Sequence, residues 1–241
     1  MQHASQIVTI TFFRFESLRT KWWAFSQMGI RPIQTEEVSG LSFVKMLGSG
    51  GGNGFSIFPN FSAYGLLAVW ESEDSARHFF KKNSDFRHFC QKSSEQWTVF
   101  LQTAKVHGEW DGQCPFRETV EYDPQKPVAV LTRATIYTKH LWRFWKFVPS
   151  VSRSIEDKEG LLFSVGVGEL PLVQQATFSL WQNSKYMMQY AYQSRYHKEV
   201  VHKTRELGWY SEEMFTRFHP FATEGSWQGE NPLLAATQPM T

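Results

Sequence analysis

Disulfides, a membrane-spanning run and a strong charge of either sign are all missing from this chain. Its two cysteines, Cys90 and Cys114, are too few for a disulfide framework and form no CxxC pair, which is how a reducing compartment leaves them. No apolar stretch reaches the roughly 20 residues that cross a bilayer, and the opening MQHASQ lacks the basic region and apolar block of a signal peptide. The expected location is the cytoplasm, with peripheral membrane contact left open. A formal net charge of only +2, with Lys and Arg scattered, argues against a nucleic-acid partner.

Several catalytic signatures are missing too. The glycine run Gly48 to Phe55, GSGGGNGF, holds no GK[ST] and no GxGxxG and leads into a strand, whereas a phosphate cradle opens a helix. It reads as a hairpin loop; a ligand role would be close backbone approach or a lid over one barrel mouth. There is no GxSxG and no HExxH, and Cys90 lies in a polar helical stretch without an evident base. Hydrolytic chemistry is therefore set aside.

Aromatic residues are what the chain has in excess: ten Trp and 21 Phe bring the aromatic fraction to 16%. Such rings either thicken a core or line a cavity for a flat or elongated apolar ligand. With 241 residues the chain can build a sizeable core on its own.

The order of elements repeats. Strand patterns at Ile7 to Phe15, Leu41 to Leu47, Phe61 to Trp70 and Thr98 to Trp110 alternate with helical ones at Ser17 to Met28 and Ser75 to Gln91. Asp111 to Pro127 is rich in proline and aperiodic, a linker. Strands then recur at Val128 to Thr135, Leu161 to Val167, Gln175 to Trp181 and Met214 to Trp227, with helices at His140 to Ile155 and Ser184 to Leu207. Ser94 to Gly112 also lies on Ser211 to Gly229 without a gap, and Trp70 matches Trp181. The chain therefore divides into repeat 1 (1–112), a linker (113–127), repeat 2 (128–229) and a tail (230–241) expected to be disordered. Each βαββαβ unit is ferredoxin-like, with helices on one sheet face only. The expected fold is α+β, two tandem ferredoxin-like repeats packed as an intrachain dimeric α+β barrel around an aromatic-lined space. Two separate open sheets are the rival.

The helix from Ser184 carries His197 and His202, with Ser184 as its N-cap and Gly208 as its C-terminal stop. By position alone each histidine is as well read as a surface residue. His219, between Phe218 and Pro220 in the closing strand, points into the barrel or out of it.

The runs Lys21 to Gly29, Phe43 to Gly50 with Gly54-Phe55 and Pro59-Asn60, Glu95 to Leu101, Leu131-Thr132-Arg133-Ala134, and Gly208-Trp209 through Glu213-Met214-Phe215 to Arg217-Phe218 occur together and in order. On them the chain resembles the spheroidene monooxygenase family from about Ile7 to Gly229. That resemblance implies an O2-dependent oxidation of an acyclic carotenoid to a 2-keto product, a haem iron cofactor and an external electron donor. The repeat architecture is also similar to haem-binding barrels such as aldoxime dehydratases, in which a helix histidine of the C-terminal repeat ligates iron. His197 resembles that ligand, and His202 is the fallback. Arg133 is then a candidate to bond oxygen at the iron or a haem propionate, and His219 a candidate proton donor if it faces the cavity. A haem-dependent dehydratase or lyase and a non-enzymatic haem- or apolar-ligand-binding barrel are the alternatives that one fold also allows.

Overall fold

A half-barrel sheet has two apolar faces, and helices cover only one of them. In the computed structural model, which describes residues 5–30, 33–50, 59–146, 158–170, 172–193 and 208–234, the other face of each sheet is covered by its sister. Repeat 1 runs β1 (Ile7–Arg14), α1 (Leu18–Ile30), a short 3-10 turn (Thr35–Glu37), β2 (Leu41–Gly50), β3 (Pro59–Trp70), α2 (Glu73–Lys82), α3 (Ser84–Lys92) and β4 (Glu95–Gly108). Repeat 2 runs β5 (Val128–Ile136), helical residues 141–146 (α4), β6 (Leu161–Gly168), β7 (Gln174–Trp181), α5 (Ser184–Gln193) and β8 (Tyr210–Gly225). The strands close as β1-β3-β2-β6-β7-β5-β8-β4, all pairs antiparallel. The barrel of tandem ferredoxin-like repeats, and not two open sheets, is the fold.

The two seams are unequal. β2 meets β6 only through Gly48 with Gly168 and Ser49 with Val167. β4 and β8 pair along their whole length, from Trp97 with Gly225 to Gly108 with Met214. Since Trp97 matches Met214 and Gly108 matches Gly225 in the repeat, this seam is self-complementary, the intrachain form of a two-fold dimer contact. Gly108 (φ 92°) and Gly225 (φ 81°) end the paired strands, and a Cβ on either would run into the carbonyl of Glu213 or Gln96 across the seam. The turns that follow are tied in exchange. Glu95 of repeat 1 accepts the backbone N–H groups of Gln228 and Gly229 at 2.8 Å each, while its equivalent Glu212 accepts the N–H of Gly112 at 2.7 Å.

Period-two alternation sends Val8, Ile10, Phe12, Trp97 and Val99, with Ala129, Leu131 and Met214 of repeat 2, inward to form one core. The space expected between the sheets is filled by side chains: Trp97 and Phe163, from opposite sheets, have ring centroids 4.8 Å apart. A second core lies between the sheet of repeat 1 and its helices, where Phe13, Tyr64, Trp70, Phe79, Phe89 and Phe100 are buried together.

Local departures from the sequence reading have local causes. The helix expected over Ser75 to Gln91 is two helices, broken at Asn83, whose extended backbone (φ −67°, ψ 126°) ends α2 while its side chain caps Phe86 N–H at 2.8 Å to start α3. Asn183, not Ser184, caps α5, accepting from Lys185 N–H at 3.0 Å; the Ser184 hydroxyl bonds that of Tyr122 instead. His197 and His202 lie outside the described residues, as does the rest of that helix after Gln193. Phe116 anchors the linker in the barrel core. Leu233 packs on that core and Asn231 holds the Gly225 carbonyl at 3.0 Å, so the first residues of the segment expected to be disordered are fastened down.

Two measurements check the seam. Gly108→Ala and Gly225→Ala should each cost about 3 kcal/mol, from left-handed backbone strain plus the carbonyl collision, read as lower urea midpoints. Burial works to raise the Glu95 carboxyl, but Gly229 and Gln228 N–H, Ser226 and Arg14 more than offset it, so it titrates below the usual glutamate range. Its tie therefore stabilises fully above that ordinary range and is lost as pH falls through the lowered value. Glu95→Gln should lose stability at neutral pH and flatten the acid limb of the stability profile.

Candidate functional site

Pairing register lets the two repeats be compared position by position. Ile7 pairs with Trp70 as Val128 pairs with Trp181, and Thr11 pairs with Thr98 as Thr132 pairs with Phe215. On the helix-facing side of repeat 1 the rows across the sheet are Val44-Ala68-Thr9-Phe100, Met46-Leu66-Thr11-Thr98 and Gly48-Tyr64-Phe13-Gln96. The matching rows of repeat 2 are Ser164-Ser179-Val130-Arg217, Gly166-Thr177-Thr132-Phe215 and Gly168-Gln175-Ala134-Glu213.

Five positions of the second set are smaller, while Val130 for Thr9 and Phe215 for Thr98 are larger. Phe13 becomes Ala134, Met46 becomes Gly166, Leu66 becomes Thr177, Tyr64 becomes Gln175 and Val44 becomes Ser164. Those five positions present less side-chain volume on the helix side of the sheet than their repeat-1 equivalents. Among the described residues the helix-side core of repeat 2 comprises Val128, Trp181 and Met187, with Tyr122, Val130, Leu161, Tyr186 and Tyr190 packed against it. The floor is bracketed by Phe144 against Trp209 and Tyr210 at one end, and by Tyr190 stacked on Trp181 at 5.5 Å at the other. Phe215 stays 44% exposed on it, and the Ser164 hydroxyl is buried with no partner among the described residues. Arg217 replaces the buried Phe100 and sets its guanidinium 5.5 Å from the Tyr122 ring and 4.0 Å from Met188 Sδ.

Arg133 is not on this floor. It stands where repeat 1 has Phe12, facing the barrel interior, with a side chain 1% exposed. Its guanidinium pairs with Glu212, with Asp111 at 3.4 Å and with Glu169 at 3.7 Å, and lies over the Trp110 ring. Lys45 joins the same group through Asp111 and through Glu169 at 2.6 Å, while Trp110 donates to Glu169 at 2.7 Å. Burial pulls Arg133 below the usual guanidinium range and the carboxylates Glu169 and Asp111 act against that. These charges plug one mouth of the barrel. At the equivalent mouth Val165 stands for Lys45 and Ser49 for Glu169, and a cavity of about 260 Å³ opens, lined by these two with Arg14, Phe163, Trp227 and Gln228. That volume falls just short of the roughly 300–1,000 Å³ usual for ligand clefts.

His219 shares the helix side of the sheet with Arg217, away from the lumen. Its Nδ1 lies 2.9 Å from the Pro127 carbonyl and its Nε2 accepts the Asp123 N–H at 3.0 Å, while its ring stacks on Tyr122. Both ring nitrogens are thus engaged by the linker, on the side of the sheet away from the lumen. The structure thus brings neither Arg133 nor His219 to the floor, and His197 lies outside the described residues. Burial pushes the Cys90 thiol up to about 11, which leaves it protonated and unreactive near neutral pH.

Sequence comparison fixes the kinship. The spheroidene monooxygenase of Cereibacter sphaeroides is 34% identical over 229 residues, covering 95% of this chain and 71% of that protein. The chain belongs to the spheroidene monooxygenase family. The family's Rhodobacter capsulatus member is 33% identical over 231 residues, covering 94% of this chain and 95% of its own. No family model matches. Among solved structures, an aldoxime dehydratase in complex with butyraldoxime superimposes with a TM-score of 0.63 at 9% identity, covering 93% of this chain and 84% of that one, a likeness of fold alone.

Arg133→Met should cost about 1–3 kcal/mol, because Glu212 loses its only cation among the described residues while Glu169 keeps Lys45 and Trp110; a urea midpoint within error of the unmodified protein would show the plug to be dispensable.

Proposed function

We propose that this protein is a haem-dependent monooxygenase that uses O2 to oxidise an acyclic carotenoid to a 2-keto product, in the layer between the sheet of repeat 2 and its helices. The observation that carries the reading is the loss of bulk at five positions on that sheet, in a chain whose relatives are spheroidene monooxygenases. A flat, largely apolar macrocycle suits a floor built from Gly166, Thr177, Thr132 and Ala134, which the aromatic filling of repeat 1 would exclude. His197 would hold the haem iron, with His202 as the fallback.

Haem, when bound, supplies O2 activation and C–H cleavage, with electrons from an external donor. The chain's own residues do the rest. Phe215 and Met188 offer apolar contact to a polyene, and Arg217 supplies the floor's cation for a carboxylate such as a propionate. In this reading Arg133, on the lumen side and paired with Glu212, Asp111 and Glu169, stays in the plug. In each hydroxylation one oxygen atom of O2 enters the substrate, and the other leaves as water with two electrons and two protons. Two hydroxylations at one carbon give a geminal diol, which loses water to the ketone.

The test is reconstitution of the purified protein with haem, followed by a carotenoid assay under labelled O2. A Soret band lost in His197→Ala, and lost again when Ala134→Phe and Gly166→Met together rebuild the repeat-1 packing, is the expected result, with label in the ketone. Loss in His202→Ala alone moves the ligand one turn along the chain. No specific haem uptake by the unmodified protein would overturn the haem reading.

A further inference from the structure

Helix α1 is apolar on both sides. Its inner side, Trp23, Ala24 and Met28, packs into the helix-side core of repeat 1. On its outer side Leu18, Trp22 and Phe25, spaced four and three residues apart, form a single stripe that is 85%, 73% and 45% exposed. Phe61 of β3 extends the stripe, its ring edge-on to Phe25 at 5.4 Å, and is itself 43% exposed. A surface helix of a freely soluble domain carries polar residues there; a contiguous patch of this kind marks a docking surface.

Charge selects what docks. α1 contains no Asp or Glu, and its two cations, Arg19 and Lys21, fall on opposite flanks of the stripe at 100° per residue. A second copy of the chain meeting this stripe face to face would bring four cations together with no carboxylate of either helix to neutralise them. An anionic bilayer surface reverses that balance: the rings sink to the headgroup boundary, where Trp is favoured, and the flanking cations reach lipid phosphates. We infer that α1, with Phe61, seats the protein on anionic membranes as an in-plane helix. Among the described residues no helix is long and apolar enough to cross, so attachment through this face is peripheral. Phe61 lies between Asn60 and Ser62, both lining the cavity of about 260 Å³ at the open barrel mouth, so the seated face borders that mouth.

The inference rests on the helix and not on the reaction proposed above, and the experiment separates the two. Co-sedimentation is measured with vesicles of phosphatidylcholine, with and without phosphatidylglycerol, for the unmodified protein, Trp22→Ser with Phe25→Ser, and Arg19→Gln with Lys21→Gln. The expected result is binding that requires phosphatidylglycerol, weakened at least about tenfold by either pair. Thermal unfolding of the first pair should be unchanged, since both positions are solvent-facing. Binding unaffected by either pair, no binding to either vesicle, or a dimer in light scattering that Trp22→Ser with Phe25→Ser dissolves would overturn it. Turnover of a carotenoid in detergent micelles should survive both pairs; failure there in the unmodified protein would sink the proposed reaction and leave the membrane result standing.

Discussion

Everything in this molecule hangs on the need to cover the inner face of a four-stranded sheet. Helices α1 to α3 bury one face of the sheet of repeat 1, and the opposite face, with Val8, Ile10, Phe12 and Trp97, has no helix to meet. Among the described residues, the sheet of repeat 2 is what covers it. The cost of ordering the long β4·β8 pairing is met by one closed core, and that pairing explains features that look unrelated in the sequence. Gly108 and Gly225 are glycine because backbone crosses them. Glu95 and Glu212 sit where each reaches the other repeat's turn.

Covalent joining of the repeats has a second effect. In a dimer of identical chains, every substitution occurs twice. Here Phe13 and Ala134, or Phe12 and Arg133, occupy equivalent places and differ, so the helix-facing sides of the two sheets carry different side chains, and one barrel mouth is plugged with charge while the other stays open.

The architecture was legible because its signals are local or repeated: glycine and tryptophan at fixed places after each closing strand, Trp70 matching Trp181, strand-helix order twice over. Side-chain direction was harder. Alternation tells that neighbours point opposite ways and cannot tell which way is in: Arg133 faces the lumen and His219 the helix side. Their burial and ordered strand positions were foreseeable; their partners, Glu169 and Asp111 in turns and Asp123 in the linker, required tertiary contact. The stripped floor was written in the alignment of the repeats, but only strand register shows which columns share a face. The break at Asn83 went unread because the apolar spacing of Phe79, Phe80, Phe86 and Phe89 carries through it, and the cap is a matter of one side chain.

The seam also bears on how the chain reaches this state. Trp97 donates a hydrogen bond to Thr223, 126 positions away, and contacts so distant in sequence form late and slowly. During synthesis, repeat 1 is complete while its inner face, rich in Phe and Val, still waits for a partner that has not been made. Two nascent chains meeting at that stage present each other with the same self-complementary β4 edge that β8 will later occupy. The linker that keeps repeat 2 near that edge, pinned by Phe116 and His219, therefore works as a concentration device: it makes the correct partner the nearest one.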